Sequence, residues 1–369
     1  MSRTAKAVVC REYNAPLQVE QIRVDPPKRN EVTIQVKACG VCHSDLSAAT
    51  GVITYPPPVI LGHEGAGVVV EVGEGVTSLK VGDHVVTSFI SMCGKCRQCS
   101  RGRPVLCDNA GKALYHLPDG TVRTYDAEGK PLNVFGACGV MAEYATMHVD
   151  NLVKIDQDVP LSSAALVGCA VMTGVGAVFN TAHVEPGSRV AVFGVGGVGL
   201  NVIQGCRIAG AETIIAVDTN DAKLEMARQF GANETVNAAN DKEVAKTIKK
   251  MTGGGVDYAF ECIGFGETVA QAYNSLGRGG TVVVLGVAKL SDQTSFRTFT
   301  LPADERTIKG SWLGSARPQY DFPRLLSLYR RGNLKLDELI TRTYSIDDAP
   351  QAFEDLKAGR NARGVIVFD

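Results

Sequence analysis

The pattern of apolar positions changes character about halfway along the chain. In the first 155 residues, short Val-rich runs such as EVTIQVKA and GVVVEVG are broken by Gly and Pro, which predicts β-strands. From about Arg189, strand-like runs alternate with helical stretches: RVAVFGVGGVGL, ETIIAVD, AKLEMARQFGA, VDYAFECIG, ETVAQAYNSLGRGG and TVVVLGV. This alternation predicts a doubly wound parallel sheet. After Trp312 come a helical stretch, FPRLLSLYRRG, and a final strand, GVIVFD.

The length of 369 residues suits two domains, and no internal repeat or low-complexity linker separates them. We therefore expect an α/β protein in which the domain boundary near residue 175 falls inside a packed helix. The predicted bounds are residues 1–174 with 314–369 for one domain and 175–313 for the other.

The charge balance excludes some classes of partner. Lys plus Arg number 38 against 39 Asp plus Glu, so a nucleic-acid or anionic membrane partner is not expected. The start, MSRTAKAVVC, lacks the apolar run of a signal peptide, which predicts a cytoplasmic protein. Residues 159–182 carry no charge and are long enough to span a membrane. Their Ser, Thr, Asn and Gly residues favour a buried helix with flanking turns instead.

A Gly-rich turn between a strand and a helix indicates a dinucleotide site. Gly194, Gly196 and Gly199 form GxGxxG, in which the glycines allow a tight turn, close approach of a pyrophosphate and close helix–strand packing. Asp218 ends the next predicted strand, where its carboxylate can accept hydrogen bonds from a ribose and repel a 2′-phosphate. No Arg follows it at the next two positions, so the pattern favours NAD over NADP.

Cysteine spacing indicates metal rather than disulfides. The 11 Cys are an odd number in a chain without an export signal. Four of them lie within fifteen residues, a spacing that suits a closed tetrahedral zinc site: Cys93, Cys96, Cys99 and Cys107. An iron–sulfur cluster uses similar spacing, but nothing else in the chain indicates electron relay.

A second, dispersed set of potential ligands comprises Cys42, His63, Glu64 and Cys169. Two Cys and one His with a water molecule form one ligand set of catalytic zinc. Buried Cys and His side chains also occur in cores without a metal, so spacing alone leaves both interpretations open.

Six motifs together resemble one family. They are GVCHSD at 40–45, GHEGAG at 62–67, VGDHV at 81–85, the four-Cys loop, GCAVMTG at 168–174 and GVGGVG at 194–199. The chain resembles the zinc-containing medium-chain alcohol dehydrogenases over nearly its whole length. The resemblance implies a β-rich GroES-like catalytic domain, a Rossmann NAD-binding domain, two zinc ions per chain and a homodimer or homotetramer.

The resemblance also implies residue roles. The catalytic zinc ligands are Cys42, His63 and Cys169, with Glu64 behind the metal and Asp45 orienting His63. Besides the glycines and Asp218, the implied cofactor contacts are His43, Thr173, Lys223, Val287 and Arg363. The implied substrate pocket comprises Phe89, Leu106, Phe135 and Trp312.

The implied reaction is reversible hydride transfer between an alcohol and NAD, with zinc as Lewis acid and Ser44 relaying the proton. Some family members end that relay with a His where this chain has Ser47. Other members keep their nicotinamide permanently bound, and both behaviours fit this sequence.

Missing charges predict the substrate class. Glutathione-linked members of the family carry an Asp and an Arg where this chain has Ile53 and Gly111. We therefore expect a hydrophobic or aromatic primary alcohol, or its aldehyde. The alternatives are an S-hydroxymethylglutathione dehydrogenase, a reductase acting mainly on aldehydes, and a zinc-stabilised NAD-binding protein without catalysis.

Overall fold

The computed structural model describes residues 1–110 and 114–369, so Gly111 lies outside the described part. The chain divides into two compact units, Met1–Cys169 with Arg317–Asp369, and Ala170–Ala316. The first unit is rich in strands, and the second alternates strands with helices. The predicted α/β class is therefore confirmed.

Strands and helices are numbered here in chain order. The strands are β1 Arg3–Cys10, β2 Gln18–Val24, β3 Glu31–Val41, β4 Val59–Ile60, β5 Glu64–Val72, β6 His84–Thr87, β7 Thr124–Tyr125, β8 Asn133–Val134, β9 Tyr144–His148, β10 Leu152–Ile155, β11 Arg189–Phe193, β12 Thr213–Asp218, β13 Glu234–Asn237, β14 Val256–Glu261, β15 Leu276–Val284, β16 Thr307–Gly310, β17 Ile340–Tyr344 and β18 Arg363–Val367. The α-helices are α1 His43–Ala49, α2 Arg97–Ser100, α3 Leu161–Ala165, α4 Ala170–Gly176, α5 Gly197–Ala209, α6 Asp221–Phe230, α7 Val244–Met251, α8 Gly266–Ser275, α9 Thr300–Ala303, α10 Pro318–Arg330 and α11 Ala349–Lys357.

The first unit contains two sheets, ordered β7-β2-β1-β4-β8 and β10-β6-β5-β3-β18-β17, with β9 also paired to β3. The central strand β3 joins segments distant in sequence. Gly40 lies opposite Glu64, the first residue of β5, and Val41 lies opposite Gly364 of β18. The turn that begins at Cys42 therefore emerges beside the start of β5 and the start of β18.

The second unit is built on one parallel sheet, ordered β13-β12-β11-β14-β15-β16. Strand order reverses between β11 and β14, which makes their carboxyl ends the topological switch point where such folds bind dinucleotides. Buried Val, Ile, Ala and Phe side chains fill β11, β12 and β14, as expected for a sheet covered on both faces.

Residues 159–182 form several short helical pieces rather than the single buried helix expected from composition. α3 is followed by a 3₁₀ turn at Leu166–Gly168, then by α4 and a π-helical turn at Ala177–Ala182. Cys169 breaks the run because its backbone, at φ −143° and ψ −75°, is not helical. Among the described residues no single helix is long and apolar enough to cross a membrane, although the bent pair Leu161–Gly168 and Ala170–Ala182 has sufficient length and apolarity together.

Candidate zinc centres and dinucleotide site

The four dispersed ligand candidates converge in the first unit. One donor atom from each of Cys42, His63, Glu64 and Cys169 lies within 4.8 Å of the others, and all four residues are buried. Cys42 directly follows β3 and caps α1, Glu64 begins β5, and Cys169 is the non-helical residue after the 3₁₀ turn. Sheet pairing and a helix break therefore assemble the cluster.

Asp45 fixes the geometry of this cluster through contacts of both carboxylate oxygens. Its Oδ1 accepts a hydrogen bond from the Gly62 amide at 2.8 Å and lies 3.3 Å from His63 Nδ1. Its Oδ2 accepts from the Cys42 amide at 3.3 Å, which completes a capping box on α1. Since Nδ1 faces Asp45, Nε2 is the His63 nitrogen available to a metal.

Glu64 makes an ion pair that sequence reasoning missed. Arg363 Nη2 donates to Glu64 Oε1 at 2.8 Å, and Nη1 donates to the Val41 carbonyl at 3.2 Å. Arg363 is only 4% exposed. A Cβ on Gly40 would lie 2.2 Å from Glu64 Oε2, so any larger residue there would displace this carboxylate. The predicted contact of Arg363 with a cofactor pyrophosphate stays a prediction.

Burial and neighbouring charges shift the pKa values of the residues in this cluster. Burial raises the pKa of the Glu64 carboxyl to about 7, although the Arg363 guanidinium acts to lower that pKa. The hydrogen bond between the two thiols holds the pKa of Cys42 well below its ordinary value and raises that of Cys169. Burial lowers the pKa of His63, but the Asp45 carboxylate and the Cys42 sulfur together outweigh burial, so the pKa is raised.

The cluster suits a zinc ion on two grounds. Two thiols and an imidazole, with a carboxylate nearby, are the donor chemistry of catalytic zinc sites. Glu64 Oε2 is buried and has no hydrogen-bond partner within the described part of the chain. A buried carboxylate oxygen without a donor is costly unless a cation compensates it.

The four-Cys loop forms a second compact cluster. The sulfur atoms of Cys93, Cys96, Cys99 and Cys107 lie within 4.8 Å of one another. The Cys96 and Cys107 sulfurs are 3.9 Å apart. Sulfurs at tetrahedral corners about 2.3 Å from zinc are separated by about 3.8 Å, so this spacing fits zinc directly.

Backbone amides prepare the sulfurs of Cys93 and Cys96 to carry charge. Cys96 Sγ accepts hydrogen bonds from the amides of Cys99 and Asp108, both at 3.4 Å. The amide of Lys95 is the main reason that the pKa of Cys93 falls to about 6. Thiolates stabilised in this way bind metal without a large cost of deprotonation.

We expect Cys99→Ser to lower the melting temperature by several degrees or to prevent accumulation of folded protein, because structural zinc contributes folding free energy directly. Thermal denaturation and zinc content measure the effect. Ser100→Ala, at the next, exposed position of α2, is the matched control. A Cys99→Ser protein as stable as wild type would overturn the structural assignment of this loop.

Residues next to the buried cluster include a hydroxyl and an aromatic wall. Cys42 Sγ lies 3.7 Å from the Ser44 hydroxyl. The rings of Phe89 and Phe135 stand edge-on to His63, with centroids 5.5 and 5.1 Å away.

Two other predicted site residues of this unit are exposed. Leu106 is exposed on its 3₁₀ turn. His43 is exposed at the first position of α1.

The second unit carries the predicted dinucleotide loop between β11 and α5. Gly194 has φ +83°, a left-handed conformation that favours glycine. A Cβ on Gly199 would lie 1.9 Å from the Gly194 carbonyl, so helix and strand pack closely only with glycine there. Apart from its own chain neighbours, no atom of the described residues lies within 4 Å of a Cβ built on Gly196, which caps the amino end of α5 and leaves space for a phosphate.

Asp218 ends β12 beside this loop. Its Oδ2 accepts a hydrogen bond from the Val195 amide at 3.0 Å, and its Oδ1 accepts from the Thr219 and Asn220 amides. Lys223 lies half-buried in the first turn of α6. The acidic residue is therefore hydrogen-bonded to the glycine loop, and its contact with a ribose stays a prediction.

The other residues predicted to contact cofactor or substrate in this unit are partly exposed. Thr173 lies on α4, and Val287 follows β15 with 49% exposure. Trp312, the chain's one Trp, is 48% exposed. Their predicted roles stay predictions.

Comparisons with known proteins agree with this site chemistry. Residues 28–157 match the family model for an alcohol dehydrogenase GroES-like domain, and residues 197–331 match that for a zinc-binding dehydrogenase. The chain is 41% identical to an NDMA-dependent alcohol dehydrogenase of Amycolatopsis methanolica, over 98% of each chain. It is also 41% identical to an S-(hydroxymethyl)glutathione dehydrogenase of Synechocystis, over 99% of this chain and 100% of the relative.

A solved structure of an alcohol dehydrogenase has the same fold as this chain. The crystal structure of benzyl alcohol dehydrogenase from Acinetobacter calcoaceticus superposes with a TM-score of 0.94 at 34% identity, over 100% of both chains. The expected GroES-like and Rossmann-type α/β architecture is confirmed. The chain belongs to the zinc-containing alcohol dehydrogenases of the medium-chain dehydrogenase/reductase superfamily.

Proposed function

We propose that this protein oxidises hydrophobic or aromatic primary alcohols with NAD, reversibly with the aldehydes, and holds one zinc ion at each of its two Cys clusters. The observation that carries the proposal is the buried convergence of Cys42, His63, Glu64 and Cys169 in a member of this family. It also argues against a non-catalytic NAD-binding protein, because such a protein has no need of an intact catalytic ligand set.

Cys42, His63 and Cys169 would hold the catalytic metal. Zinc bound there supplies a Lewis acid that favours the ionised form of an alcohol. Asp45 keeps the His63 ring oriented through Nδ1. Ser44, whose hydroxyl lies 3.7 Å from Cys42 Sγ, accepts the alcohol proton while its own hydroxyl proton passes toward solvent, so that the side chain stays neutral.

Apolar surroundings favour a hydrophobic substrate. Phe89 and Phe135 line one side of His63 and exclude water there, which strengthens electrostatic effects on the reacting oxygen. A relative at 34% identity is named benzyl alcohol dehydrogenase. We assign Leu106 to the same pocket on the family resemblance.

The glutathione-linked relative supports a second candidate function, the oxidation of S-hydroxymethylglutathione. One position argues against it. Ile53, where glutathione-linked members carry an Asp, packs its side chain against the apolar core of the first unit. A glutathione ammonium group would thus lose a charge-assisted hydrogen bond of about 1.5–3 kcal/mol.

The function is tested by a series of primary alcohols at fixed NAD. Each buried CH₂ contributes about 0.8 kcal/mol, so kcat/KM should rise from ethanol to hexanol and benzyl alcohol. Parallel assays use formaldehyde with glutathione, and NDMA as acceptor, since one relative is named for it. A strong preference for ethanol, or glutathione-dependent formaldehyde oxidation, would contradict the proposed substrate class. Turnover with NDMA but without added NAD would identify a permanently bound cofactor.

For cofactor choice, we expect Asp218→Asn to weaken NAD binding and improve the use of NADP. The substitution removes a ribose acceptor and a negative charge that repels the 2′-phosphate. The measurement is the ratio of kcat/KM values for NAD and NADP. Glu234→Gln, at an exposed position of β13, is the control for a lost surface charge. An unchanged ratio in Asp218→Asn would count against its role.

We further propose a homodimer or homotetramer. β16 is an edge strand of the second unit's sheet, and Ile308 on it is 40% exposed. An edge strand with exposed apolar side chains can pair with a strand of another chain. Light scattering of the purified protein gives the mass that tests this.

A further inference from the structure

Glu261, the last residue of β14, is a buried acidic residue outside the proposed catalytic machinery. Glu261 lies opposite Phe193, the residue before the dinucleotide loop, and is completely buried. Its Oε1 accepts three hydrogen bonds, from the Ile263 amide at 3.0 Å, the Gly264 amide at 2.8 Å and the Thr268 hydroxyl at 2.7 Å. Oε2 has no hydrogen-bond partner among the described residues.

Glu261 also binds a second segment through its main chain. Its carbonyl accepts hydrogen bonds from the Leu285 amide at 2.8 Å and the Gly286 amide at 3.1 Å. One residue therefore holds both the turn that follows β14 and the turn that follows β15. Both turns lie at the carboxyl edge of the sheet, where dinucleotides bind in this fold.

The turn held by Glu261 packs against the predicted cofactor residues. A Cβ built on Gly194 would lie 2.4 Å from the Ile263 side chain. A Cβ on Gly264 would lie 2.8 Å from the Val287 backbone, and one on Gly286 would lie 2.1 Å from the Gly264 amide nitrogen. A shift of residues 262–264 would therefore move both the first glycine of GxGxxG and Val287.

We propose that Glu261 is a positioning residue of the dinucleotide site, which acts through the 262–264 turn and touches no cofactor itself. The proposal rests on the proposed function in taking NAD as the ligand. Burying a carboxylate is expensive, and a purely architectural turn does not require one. Three donors on a single oxygen fix the turn more tightly than a neutral side chain that accepts one.

The test compares NADH affinity in zinc-loaded variants. Glu261→Ala removes the clamp and should weaken NADH binding about tenfold to hundredfold, the effect of losing one or two hydrogen bonds to a charged group. Zinc content and the KM for benzyl alcohol should stay near wild type. Glu261→Gln keeps an acceptor oxygen in the Oε1 position and should restore most of the affinity. Thr268→Val removes one donor and should give a smaller loss, which covers the case that Glu261→Ala does not fold.

Asp257→Ala is the matched control. Asp257 lies at the opposite end of β14, where it accepts hydrogen bonds from the amide and guanidinium of Arg189. Its loss should lower stability and leave NADH affinity unchanged. Wild-type NADH affinity in Glu261→Ala, or equal losses in Glu261→Ala and Glu261→Gln, would overturn the positioning role. A wild-type protein that binds no NADH would instead refute the proposed function.

Discussion

Cys169→Ala is expected to lose about one zinc ion per chain and all measurable alcohol oxidation while the fold survives. Cys169 lies in the buried cluster with Cys42 and His63, and two remaining ligands hold zinc poorly. The thiol is small and lies at a helix break, so alanine leaves little space unfilled. Elemental analysis, circular dichroism and the rate of NADH formation measure the three parts of this result.

The control for this substitution is Cys10→Ala. Cys10 is equally buried in the first unit but belongs to neither Cys cluster. It should keep both zinc ions and near-normal turnover. If Cys169→Ala behaved in the same way, Cys169 would not be a ligand of the catalytic metal.

Ser44→Ala should reduce kcat/KM for benzyl alcohol by a factor of order 10²–10⁴, the usual contribution of positioned proton transfer. The Ser44 hydroxyl lies beside Cys42, whereas Ser47 lies one turn further along α1. A hydroxyl does not act as a base near neutral pH, so Ser47 does not replace the His that other family members carry there. Ser47→Ala should therefore cost little. Equal losses in the two variants would refute this ordering of roles.

Local patterns in the sequence predicted much of the fold. The run RVAVFGVGGVGL forms β11, the glycine turn and the start of α5, because strand, turn and helix signals occur in sequence order there. Other bounds depended on tertiary context. The stretch ETVAQAYNSLGRGG reads as helix throughout, yet α8 ends at Ser275 and β15 begins at Leu276, where pairing with β14 takes over.

Non-local contacts were the main part of the site that the sequence did not reveal. Glu64 and Arg363 are 299 positions apart and meet because β3 pairs with both β5 and β18. No local pattern encodes such a pairing. The sequence pattern did not single out Glu261 as a site residue for another reason. An acidic residue after an apolar run is an ordinary feature of a strand end. A charge directly after the apolar residues Ala259 and Phe260 was its one available signal.

The role that we propose for zinc at the buried Cys42, His63 and Cys169 cluster is to support alcohol oxidation. It is tested most directly by partial zinc removal with a chelator, stepwise return of zinc, and NADH formation from benzyl alcohol measured against zinc per chain. We predict no activity while only the more tightly held four-Cys cluster is filled, at about one zinc per chain, and a linear rise to full activity at about two. Full activity at one zinc per chain or fewer would contradict the account.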